Sequence, residues 1–106
     1  MKKEQFEKIA EWQRYMFPSQ TSTSKLCHLQ DEIIELKDEI EEAKNIKKKE
    51  QEFADCFILL FGAADVEGLK YDDICRIIDE KMEVNYKREW GKPDSRGVIN
   101  HIKNKS

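Results

Sequence analysis

Residues 26–40 read Leu-Cys-His-Leu-Gln-Asp-Glu-Ile-Ile-Glu-Leu-Lys-Asp-Glu-Ile. Leu26, Leu29, Ile33, Leu36 and Ile40 recur at intervals of three, four, three and four. That is the period of an α-helix with one apolar stripe, and it predicts a helix over residues 25–45. The acids of the same stretch are not scattered. At about 100° per residue, Glu32, Glu35 and Glu39 fall within a sector roughly 60° wide, beside the leucine stripe rather than opposite it. Carboxylates on the border of an apolar face are poorly solvated on one side and repel one another.

The next apolar segment repeats the theme. Phe53-Ala54-Asp55-Cys56-Phe57-Ile58-Leu59-Leu60-Phe61 is apolar almost all round and predicts a helix over 50–67, with Gly68 as its C-terminal cap. A helix of that kind needs protein on every side. In a chain of 106 residues a second copy is the simplest source. Asp55 sits inside the run, where a charge costs several kcal/mol, on the order of a buried ion, unless it is paired or metal-bound. Glu52 lies three residues before it, one helical turn away. Antiparallel packing of the two helices would bring Glu32, Glu35, Glu52 and Asp55 together. An all-oxygen set of this kind suits Mg²⁺ or Mn²⁺. The competing reading is an ion pair between Asp55 and a lysine or arginine.

Two further helices complete the reading. One covers 3–15, with Phe6, Ile9, Ala10 and Gln13 on one side, and is stopped by Pro18. Thr23 or Ser24 then caps the helix that follows, and residues 45–49 read as a polar turn. The fourth helix starts at Asp72 or Asp73 and runs to 90, with Ile74, Ile77, Ile78 and Met82 as its stripe. Lys81, Asn85 and Arg88 share a face there, two cations and an amide fit to hold phosphate and sugar. The tail from 95 forms a short helix over 98–102 or drapes on the surface. The fold class is therefore all-α, a four-helix-bundle core completed by homo-oligomerisation, with residues 1–106 as one domain.

Composition narrows the function. Apolar and charged residues each make up 39% of the chain, and the net charge is −3, with both signs mixed. This is not the basic footprint of a nucleic-acid binder. The longest apolar run, 56–64, falls well short of the roughly 20 residues that span a bilayer, and the N-terminus has no signal-peptide pattern. Cys27, Cys56 and Cys75 lie in apolar helical patterns and read as buried reduced thiols. A cytoplasmic protein is expected. His28, one turn before Glu32, reads as a hydrogen-bonding group, and Trp12 and Trp90 as core or interface residues.

The acidic motifs resemble those of the MazG-like all-α nucleotide pyrophosphohydrolases, which carry E-E-x-x-E followed by E-x-x-D. Here Asp31-Glu32-Ile33-Ile34-Glu35 matches with Asp in first place, and sixteen residues intervene before Glu52-Phe53-Ala54-Asp55. His28-Leu29, the Phe17-Pro18 segment and the stretch 81–94, continued by Gly97-Val98 and His101, resemble the dATP/dGTP diphosphohydrolase branch, found in bacteria and their phages. The similarity spans about residues 12–103. It implies Mg²⁺-dependent hydrolysis of a (deoxy)nucleoside triphosphate, dATP or dGTP first, to the monophosphate and pyrophosphate, by a dimer or tetramer. It implies Glu32, Glu35, Glu52 and Asp55 as metal ligands, with Glu32 and Glu35 catalytic. It also implies Lys81, Asn85, Arg88 and His28 as substrate contacts. The same motifs fit dUTP, dCTP or a non-canonical nucleotide, and a non-enzymatic helical oligomerisation module remains the outlying alternative.

Overall fold

A computed structural model describes residues 1–42 and 45–103. It contains four helices: α1 Lys3–Met16, α2 Ser22–Glu42, α3 Ile46–Val66 and α4 Tyr71–Lys87. No strand occurs among the described residues; the one β-type pairing is an isolated antiparallel bridge between Trp90 and His101. The backbone separates into two compact units, residues 1–72 and 73–106.

In the first unit α2 and α1 each pack against α3. The core is small. Phe6, Ala10 and Ala63 are its buried apolar residues, with the Phe6 ring edge-on to Phe61 at 5.5 Å and tilted against Tyr71 at 5.8 Å. Gln13 is buried with them and donates from Nε2 to the Ile58 carbonyl at 2.9 Å. Gly62 is what lets it in, because a Cβ at that position would fall on the Gln13 amide.

The helix boundaries follow from caps that differ from those expected. The Thr21 hydroxyl, not Thr23 or Ser24, caps α2: it accepts from the Ser24 amide at 3.0 Å, and the Ser24 hydroxyl accepts from the Thr21 amide at 3.0 Å. This reciprocal pair starts the helix at Ser22. Asn45 accepts from the Lys48 amide, so α3 begins at Ile46 and residues read as a polar turn are its first turn. At the other end Gly68, at φ +87°, closes α3 as expected, with its amide on the Asp65 carbonyl.

The cysteines are not buried as expected: Cys27 and Cys75 are exposed and Cys56 is half-buried, all three with free thiols. Much of the apolar surface is exposed as well, including Leu26, Ile33, Ile40, Phe57 and Leu60. Trp12 and Trp90 are each about half exposed. No helix among the described residues is long and apolar enough to cross a membrane.

In the second unit α4 ends at Lys87. The chain then turns back on itself instead of forming a helix over 98–102. Gly91 N–H donates to the Asn100 carbonyl at 2.9 Å and Ile102 N–H to the Glu89 carbonyl at 2.7 Å. Asp94 ties the turn by accepting from the Arg96 and Val98 amides. Those bonds and the Arg96 guanidinium hold its carboxyl below the usual range.

Candidate active site

The packing of α2 on α3 brings Glu32, Glu52 and Asp55 together. One carboxylate oxygen from each lies within 4.8 Å of the others. Glu32 and Glu52 are half-buried, whereas Asp55 is exposed. Asp55 thus escapes the apolar run around it by pointing where Glu32 and Glu52 already crowd. Among the described residues no lysine or arginine forms an ion pair with any of the three. The side chain bonded to the cluster is that of His28, whose Nε2 lies 3.2 Å from Glu32 Oε1. The ion-pair reading of Asp55 is therefore set aside.

Two features mark the cluster as crowded with like charge. The Oε2 atom of Glu52 is buried and has no hydrogen-bond partner, a costly condition for a carboxylate oxygen. Glu32 is pushed to hold its proton above the usual carboxylate range, by burial first and then by the neighbouring Glu52 and Glu35. Burial first, and then Glu32, Glu52 and Asp55, push the Cys56 thiol up. Glu35 stands beside this set on α2, exposed, close enough to act on Glu32 but outside the three-oxygen cluster. An oxygen set with an orphaned buried atom and repelling charges is what a hard divalent cation satisfies.

Lys81, Asn85 and Arg88 belong to the second unit, Lys81 and Asn85 on α4 and Arg88 just beyond it. The fold there adds residues that the spacing of the helix did not reveal. His101 is carried back by the turn and packs edge-on against Trp90 at 6.2 Å. Its imidazole is pushed below its usual range by burial and by the charges of Arg88, Lys103 and Lys81. The second unit thus gathers three cations and an imidazole.

A further group of residues went unread in the sequence. Lys25 is buried, and its ammonium donates to Gln13 Oε1 at 3.0 Å and Gln20 Oε1 at 3.2 Å, over the face of Phe17. Burial lowers its pKa, and the charge of Asp65 opposes that shift. Asp65 is itself buried and paired with Arg14 at 3.2 Å. Lys25, Trp12 and Phe17 line a cavity of about 250 Å³ whose other end is formed by His28, Glu32 and Asp55. A signal was present: Lys25, His28, Glu32 and Glu35 follow one another at spacings of three, four and three, a polar stripe on one sector of α2.

The profile of the dATP/dGTP pyrophosphohydrolase family matches residues 5–106. The chain belongs to that family. Members are nucleotide pyrophosphohydrolases, and so is this protein. A solved structure with the same fold is the cyanophage S-2L MazG-like pyrophosphohydrolase, determined bound to dGDP and three catalytic Mn²⁺ ions per active site. It is 25% identical, superposes with a TM-score of 0.75, and is matched over 97% of this chain and 99% of its own. No curated protein sequence matches the chain. The family assignment and the all-α fold agree with the resemblance drawn from the acidic motifs, and the three-acid cluster of this pyrophosphohydrolase is built from residues of those same motifs.

Proposed function

We propose that this pyrophosphohydrolase cleaves a purine deoxynucleoside triphosphate, dATP or dGTP, to the monophosphate and pyrophosphate, with Mg²⁺ or Mn²⁺ held by Glu32, Glu52 and Asp55 and by Glu35 at the rim. The observation that carries this reading is the orphaned Glu52 oxygen inside a cluster of three acids. A divalent ion bound there supplies neutralisation of phosphate charge and a more acidic water. Glu35, exposed beside the cluster, accepts the proton of the attacking water as its oxygen bonds to the α-phosphorus, and the bond to the pyrophosphate oxygen breaks. Lys81, Asn85 and Arg88 are assigned to the phosphates and sugar, and His28 holds Glu32 in place. The exposed apolar residues of α2 and α3 support assembly with further copies of the chain, and a cytoplasmic location fits a nucleotide substrate.

The test is pyrophosphate release from dATP and dGTP with Mg²⁺ and with chelator. Turnover is expected only with metal, and Glu35→Gln and Asp55→Asn are each expected to lower it at least about a hundredfold with helical content intact. Wild-type rates in both variants would refute the assignment.

A further inference from the structure

The cavity lined by Glu32 and Asp55 also has a wall, formed by Gln13, Gln20 and Lys25, in which hydrogen-bond donors predominate. Gln13 spans the wall, with Oε1 accepting from Lys25 and one Nε2 N–H donating to the Ile58 carbonyl. Lys25 carries three N–H donors and no acceptor, so each glutamine beside it must turn its oxygen inward. That fixes the orientation of the Gln20 amide: Oε1 faces Lys25 at 3.2 Å and its NH₂ group is left over. What this wall offers an occupant is therefore mostly donors: the third Lys25 N–H, the Gln20 NH₂ and the second Gln13 N–H, against only the second lone pairs of the two amide oxygens. Trp12 and Phe17, perpendicular with centroids 5.7 Å apart, give the same cavity an aromatic lining against which a flat ring can pack. The volume, about 250 Å³, accommodates a purine.

We propose that Lys25 and Gln20 read the base and make the enzyme select guanine over adenine. The proposal rests on the triphosphate reading above and deepens it. The two purines differ at position 6: guanine presents an oxygen acceptor beside the N7 acceptor, and adenine an amino donor beside the same N7. A wall of donors matches the first edge at both atoms. Against the second it sets donor against donor, unless Gln20 turns over and gives up Lys25. Leaving a buried donor unpaired costs enough to separate two substrates by tenfold or more.

The experiment measures kcat/KM for dGTP, dITP and dATP with Mg²⁺, in the wild type and in Gln20→Glu. Inosine keeps the 6-oxygen and lacks the 2-amino group. In the wild type dITP is expected within about threefold of dGTP, and dATP at least tenfold below both. Gln20→Glu keeps a partner for Lys25 and replaces the donor with an acceptor, so the dGTP/dATP ratio is expected to fall by tenfold or more. Equal or faster cleavage of dATP, a fall of dITP to the dATP level, or an unchanged ratio in Gln20→Glu overturns the proposal while leaving the hydrolase intact. Absence of turnover on all three nucleotides overturns the hydrolase reading and this one with it.

Discussion

Replacing Glu52 by Gln separates the two states of the acid cluster. Two like charges within 4.8 Å of each other repel by about 3.5 kcal/mol or more at an effective dielectric near 20. The repulsion shows at Glu32, whose carboxyl is held above the usual range by burial first and then by Glu52 and Glu35. The exposure of Asp55 relieves part of it by screening. About 1 kcal/mol is left for Glu52→Gln to recover, or roughly 4–8 °C in Tm for a chain of this size. The amide also gives Glu32 a donor. With metal the order reverses. A ligand at a hundred times its Kd stabilises the native state by about 2.7 kcal/mol, and a variant lacking one carboxylate forfeits most of that. Thermal melts in chelator and in saturating Mn²⁺ or Mg²⁺ are therefore expected to cross: the variant melts higher in chelator, the wild type higher in metal. A wild type at least as stable as Glu52→Gln in chelator, or metal-induced shifts of equal size in both proteins, would refute the claim that these acids wait for a cation.

Gly62→Ala would drive a methyl into the Gln13 amide, which cannot move without losing its bonds to Ile58 and Lys25; a loss of about 1–3 kcal/mol is expected, read by urea denaturation. The His101 imidazole binds its proton more weakly in the folded protein, through burial and the charges of Arg88, Lys103 and Lys81. Its contribution to holding the tail is therefore complete above the unfolded value of about 6.5 and is lost as pH falls through the lower folded value. An NMR titration of His101 is expected to give a midpoint below 6.5, and a midpoint at or above that value would contradict the basic surroundings described here.

The acid cluster was legible because its logic is local. Glu32 and Glu35 are one turn apart, as are Glu52 and Asp55, and the Asp inside an apolar run pointed to the right place even though the structure leaves Asp55 exposed rather than buried. The buried ammonium was not, because its partners come from three separate segments. Gln13 lies on α1, Gln20 in the connecting turn and Asp65 on α3, and nothing in the composition of any one segment announces the others. The helix ends were displaced for a related reason: Thr21 and Asn45 compete with several equally good capping residues nearby, and only the backbone decides among them. The turn at 94–98 depends on Asp94 and on Gly97 at φ +80°, a conformation that a short apolar tail does not reveal.

The apolar stripe of α2 is only in part its buried face. Placed on a helical wheel at about 100° per residue, Ser22, Lys25, Leu29, Glu32, Leu36 and Glu39 span one continuous sector, and these are the buried or half-buried residues of the helix. Leu26, Ile33 and Ile40 lie further round and are exposed. The face α2 turns inward within the first unit is therefore centred on the seam between acids and leucines, not on the leucines. Rotation toward the stripe would bury more apolar area, on the order of 2 kcal/mol for each aliphatic side chain covered, and would carry Glu32 away from Glu52 and Asp55. The helix instead keeps its acids at the packed seam and leaves aliphatic residues outside. That arrangement is costly for an isolated chain. It is economical for one whose acids are neutralised by a metal and whose outer stripe is covered by a second copy.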